Sequence, residues 1–128
     1  MKWIWQPHIG INDLVYNQPY NKKKELLKQI DAVPFFASNL IEDEMWKSDS
    51  EGVLLTFDSQ NTDIFLGMEL QQNLFYENHA LIGKNIFEIK DIFKVYDFIT
   101  DNEGYFYESK ELDAIFWVEN DIVESVSL

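Results

Sequence analysis

The chain has 128 residues, 46% of them hydrophobic and 16% aromatic, which is enough for one domain with its own core and far from the composition of a disordered segment. Ten lysines stand against 23 acids, with no arginine and no cysteine, giving a net charge of −13. That balance excludes disulfides and thiolate metal sites and disfavours nucleic acid and anionic membrane as partners, and no apolar run approaches the roughly 20 residues of a membrane span.

The opening stretch, MKWIWQPH, alternates loosely as a short strand and lacks the apolar core of a signal peptide, so a cytoplasmic protein is expected. NQPYNKKKELLKQIDAV reads as a first helix over about 18–32, capped by Asn17 or Asn21, with Leu26, Leu27, Ile30 and Val33 as its apolar stripe. Residues 34–51 show no clean period and read as a long loop. GVLLTF and TDIFLGMEL, separated by the turn composition DSQN, predict an antiparallel hairpin. NLFYENHALIG adds a short strand before a turn at Gly83. A second helix is predicted over about 86–99, with Asn85 and Glu88 as a capping-box-like start and Ile89, Ile92, Phe93 and Tyr96 on one buried face. AIFWVENDIVESVSL predicts a terminal hairpin turning at Glu119–Asp121. The order of elements fits a single α+β domain over 1–128, with a mostly antiparallel sheet of about five to seven strands and two main helices. No repeat or linker is visible.

Chemistry is hard to find. His8 and His79 stand apart from any metal-like cluster, no serine sits in a G-x-S-x-G elbow, and no glycine-rich phosphate loop is present. A calcium loop with Gly104 at its sixth position would place Ile99 first and Lys110 twelfth, so both end ligands fail. No catalytic residue, cofactor or metal is expected. A small carboxylate-dependent enzyme is the reading that a pocket with convergent acids would favour.

Binding is better signalled. Residues 1–40 carry a net +2 and residues 41–128 a net −15, so a basic protein is the natural partner. The stretch DNEGYFYESKELD, residues 101–113, sets five acids around three aromatics. As a strand it would point Phe106 inward and Tyr105 and Tyr107 outward among the acids, and exposed tyrosine is an effective contact residue. EDEMWKSD repeats the theme around Trp46. The candidate partner-contact residues are therefore Glu42, Asp43, Glu44, Trp46, Asp97, Asp101, Glu103, Tyr105, Tyr107, Glu108, Glu111 and Asp113.

The layout as a whole resembles the small immunity proteins of bacterial polymorphic toxin systems, including those of contact-dependent growth inhibition. PHIGINDLVYNQPYNKKKELL matches their opening strand and first helix, and EGVLLTFDSQNTDIFLGMEL their hairpin. ALIGKNIFEIKDIFKVY matches the glycine turn and second helix, and LDAIFWVENDIVESVSL the closing hairpin. The resemblance implies a non-catalytic protein, expected as a monomer, that binds a cognate toxin domain, often a nuclease, in the producing cell. A general interaction module with another basic partner is the alternative.

Overall fold

Short alternating segments dominate the chain. The computed structural model describes residues 1–36 and 43–128. The first part of the chain forms β1 (Trp3–Gln6), β2 (Gly10–Ile11), β3 (Leu14–Val15), α1 (Lys23–Gln29), β4 (Val33–Phe35), β5 (Glu44–Ser48), β6 (Val53–Phe57) and β7 (Phe65–Leu70). The rest forms β8 (Leu74–Tyr76), β9 (His79–Ala80), α2 (Ile86–Phe93), β10 (Ile99–Thr100), β11 (Phe106–Ser109), β12 (Ala114–Glu119) and β13 (Ile122–Ser127). Two sheets result, a five-stranded one in the order β3-β2-β1-β8-β9 and an eight-stranded one in the order β10-β11-β12-β13-β7-β6-β5-β4. The α+β class and the mostly antiparallel pairing agree with the sequence, as do the β6–β7 and β12–β13 hairpins. One pair is parallel, β1 with β8. The sheets hold more strands than the expected five to seven, because residues 34–35 and 44–48 lie in β4 and β5 where a loop was expected and because β2, β3, β9 and β10 are further short strands.

Both helices are shorter than their apolar spacing predicts. Residues 17–20 are held by backbone bonds instead, with Asn17 N donating to Phe65 O and Tyr20 N to Asp63 O. The helix therefore starts after Lys22, which supplies no side-chain cap, so neither Asn17 nor Asn21 fills that role. Val33 lies beyond α1, on β4, and is 58% exposed. In α2 the Asn85 cap forms as expected, its side chain accepting from Phe87 N at 2.9 Å. The helix stops at Lys94, whose left-handed φ of 54° breaks the turn, and Tyr96 is left exposed rather than buried.

One feature went unseen in the sequence: the chain is built from two like halves. Each runs from a β-ribbon through a short helix into four consecutive antiparallel strands, and the two sets of four join side by side at β7 and β13. The likeness extends to single hydrogen bonds. Asn17 N to Phe65 O, Tyr20 N to Asp63 O and Phe65 N to Gln18 O in one half match Gly83 N to Val123 O, Ile86 N to Asp121 O and Val123 N to Lys84 O in the other. Register irregularities fall at equivalent points, between Thr56 and Phe57 and between Trp117 and Val118. The buried serines Ser48 and Ser109 are also equivalent, each accepting a backbone N–H three residues on, from Glu51 and Leu112. Where the halves meet, Leu70 pairs with Val126 and Glu69 with Ser127, so a pseudo-two-fold axis passes through the last pair.

The core lies on one side of the eight-stranded sheet. Leu55, Phe57, Phe65, Met68, Leu70, Phe116, Val118 and Val126 point inward from its strands. Against them pack Leu26 and Ile30 of the first helical region, Ile86 and Ile89 of α2, and Trp3 and Trp5 of β1. Phe93 joins these layers, 5.3 Å from Trp5 and 6.5 Å from Phe116 between ring centroids. Burial of these large side chains supplies the main driving force for folding.

Candidate interaction surface

Among the described residues nothing packs on the other side of the eight-stranded sheet. In a strand alternate side chains point to opposite faces, so register and burial together identify the outward set. From edge to edge this set includes Val33 on β4, Met45 and Lys47 on β5, Leu54 and Thr56 on β6, and Gly67 and Glu69 on β7. It continues through Ser125 and Ser127 on β13, Ile115 and Trp117 on β12, Phe106 and Glu108 on β11, and Ile99 on β10. Both helices and the five-stranded sheet pack on the opposite face. The open face is unusually apolar. Val33 and Ile99 are each 58% exposed, and Trp117 is 39% exposed with its ring 5.6 Å from that of Phe106. The indole Nε1 of Trp117 donates to Ser127 Oγ at 3.0 Å, which fixes the ring near the pseudo-two-fold axis.

Three hollows cross this face in a continuous series. The first, of about 240 Å³, lies between Phe35, Lys47, Leu54 and Glu69. The second, of about 280 Å³, shares Leu54 and Glu69 and reaches Ser127 and Leu128. The third, of about 230 Å³, continues from Ser127 and Leu128 to Ile115 and Glu108. Acids line the trough: Asp43, Glu69 and Asp49, the last 3.5 Å from Lys47 Nζ, in the first half, and Glu108 and Asp113 in the second. Glu119 and Glu124 extend the acidic rim on the second half, and the hydrogen bond between them, then their mutual repulsion, pushes the Glu124 carboxyl above its usual range.

The sequence-derived candidates divide between this surface and the scaffold. Asp43, Glu108 and Asp113 lie on the trough. Asp97 instead builds a turn, accepting Ser109 Oγ at 2.7 Å and Glu111 N at 2.9 Å. Those bonds, the one from the Glu111 backbone foremost, hold its carboxyl below the usual range. Asp101 accepts Tyr105 N at 2.9 Å and closes the loop that precedes β11. Glu103, Tyr105 and Glu111 are exposed on turns beyond the strand ends, with the Glu111 carbonyl accepting from His8 Nε2. Glu44 and Trp46 face inward, Trp46 Nε1 donating to Glu44 Oε1 at 2.7 Å. Glu42 lies outside the described residues.

The expected orientation of β11 is reversed. Tyr107 points inward against Phe116, its opposite number, and its hydroxyl donates to Asp121 Oδ1 at 3.4 Å. Phe106 points outward beside Trp117. The phase is set by β12, whose Ala114, Phe116 and Val118 are all buried. Outward residues that composition did not single out, notably Leu54, Glu69, Ile115 and Trp117, form much of the surface. Their signal was the even apolar character of both faces of VLLTF and AIFWV, where a half-solvated sheet normally alternates.

A larger cleft of about 570 Å³ lies between α1 and β5. Several of its polar groups are already engaged. Lys23, buried at its floor, donates to Glu44 Oε2 at 3.1 Å and to the Thr62 carbonyl, with the Phe57 ring 4.3 Å below its ammonium. Tyr20 donates to Asp13 Oδ1 at 3.1 Å, and burial, followed by the Asp13 charge, pushes its hydroxyl up to about 12. Among the described residues no three His, Asp or Glu side chains converge as a metal site, and no helix is long and apolar enough to cross a membrane. No family model, curated protein or solved structure matches the chain.

Proposed function

We propose that the chain is a non-catalytic immunity protein that binds and neutralises a basic toxin domain, foremost a nuclease, on the open face of its eight-stranded sheet. The observation that carries this reading is a sheet face, uncovered among the described residues, that carries apolar side chains on both halves with acids between and beside them. A face of that kind is costly to leave in water and is suited to another protein. Eight strands at about 4.8 Å spacing make it roughly 35 Å wide, the scale needed to bury ~800 Å² on each partner of a stable complex. A nuclease carries a basic cleft for phosphate, so the net charge of −13 favours rapid encounter and the exposed apolar side chains favour slow release. The proposed setting is the cytoplasm of the producing cell.

The test is to purify the toxin domain encoded in the adjoining gene and measure its binding and its activity with the chain present. A tight one-to-one complex in which toxin activity is lost is expected. No complex even at low ionic strength, or full toxin activity at saturating chain, would overturn the proposal.

A further inference from the structure

The two halves of the sheet place outward residues at equivalent positions. Their apolar members correspond: Val33 with Ile99, Met45 with Phe106, and Leu54 with Ile115. Their charged and polar members do not. Lys47 in the first half stands where Glu108 stands in the second, Thr56 where Trp117 stands, and Leu66 where Glu124 stands. The frame is thus two-fold in three apolar pairs, whereas Trp117 and Leu66 each stand on one half alone and the charge differs between the halves.

We propose, on the basis of the function given above, that the whole trough from β4 to β11 is one docking surface engaged across both halves. Its occupant is a basic toxin domain seated with its more strongly cationic side over the second half, and the opposition of Lys47 and Glu108 sets that orientation. The three matched apolar pairs by themselves would accept such a partner in two orientations related by a half-turn. Glu108, Glu119 and Glu124 attract cations on one side, whereas on the other Lys47, 3.5 Å from Asp49, offsets part of the acid, so charge selects between the two orientations. A second copy of this chain is a poor occupant, since it would bring the same acidic rim against itself.

The experiment uses the full-length chain and the purified toxin domain of the adjoining gene, with Kd measured by calorimetry and the oligomeric state of the free chain by light scattering. Leu54→Ser and Ile115→Ser probe the two halves. The double exchange Lys47→Glu with Glu108→Lys turns the charge pattern by half a turn at constant net charge, on two exposed side chains that the fold does not depend on. Each serine variant is expected to weaken binding about 10-fold or more, and the exchange likewise, while Glu77→Gln on the distant β8–β9 turn leaves Kd unchanged. Thermal melts check that the variants are folded, and the exchange remains informative if a serine variant is not. Loss of binding from one half only, or an unchanged Kd on charge exchange, would overturn this inference while leaving the immunity function standing. Absence of any wild-type complex would overturn the function itself. Self-association of the free chain abolished by Ile115→Ser would assign the face to a second copy and overturn the inference too.

Discussion

Ser48 and Ser109 hold equivalent turns together from inside the sheet. Ser48 Oγ donates to Ile30 O at 2.5 Å and accepts from Glu51 N, while Ser109 Oγ donates to Asp97 Oδ1 and accepts from Leu112 N. Alanine at either position leaves a buried backbone group unpaired, so each change is expected to cost about 1–3 kcal/mol in denaturant melts. Asp97 and Glu124 give opposite pH signatures. The Asp97 carboxyl is depressed, so its contribution to stability is complete above the unfolded value of about 4 and disappears as pH falls through the folded one. Asp97→Ala should therefore lower Tm at pH 7 and make progressively less difference as the pH is taken from 4 toward 2. The Glu124 carboxyl is raised by Glu119, so its contribution is complete below the unfolded value of about 4.3 and is lost as pH rises through the folded one. Glu124→Gln should accordingly raise Tm at pH 7 and lose that advantage near pH 4.

Local pattern made the hairpins and helices legible in the sequence, because a turn composition such as DSQN and a spacing such as Ile89–Ile92–Phe93 act over a few residues. The phase of β11 was not legible. Period-two alternation says that Tyr105 and Tyr107 share a face, but only pairing with β12 decides which face is inward, and Tyr107 lies opposite the buried Phe116. The helix ends were also set from afar, by the bonds from residues 17–20 to the strand region at 63–65. The repeat escaped notice because equivalent positions keep their burial and bonding but not their residue type: Trp46 matches Tyr107, Leu55 matches Phe116, and Val53 matches Ala114. Half of the site was hidden for the same reason, since acids and tyrosines draw attention in a sequence while Leu54 and Ile115 look like ordinary core. The seam between the halves has its own requirement. A Cβ on Gly67 would lie 2.4 Å from the Leu128 carbonyl oxygen, so β7 and β13 approach closely only because that position is glycine. Gly67→Ala is expected to destabilise the fold by about 1–3 kcal/mol, with hydrogen exchange accelerating first at the β7–β13 junction.

At the scale of the molecule, one side of the sheet is closed by helices and tryptophans, and the other presents, among the described residues, a trough lined by apolar and acidic side chains. The same strands serve both, which is why their sequences are apolar on two faces where one would suffice for folding. Charge then acts at a distance that packing does not reach. With a net −13, the chain is expected to capture a basic toxin domain at a rate that falls steeply between low and physiological ionic strength, a dependence read by stopped-flow fluorescence. The intrinsic tryptophans provide the signal, Trp117 lying exposed on the same sheet face as the trough. The most direct test of the surface is the association rate of that toxin domain with a chain carrying Glu69→Lys, Glu108→Lys and Glu119→Lys together. A fall of about 10-fold or more at low salt, shrinking as salt is added, is predicted; an association rate equal to that of the unaltered chain would contradict the account.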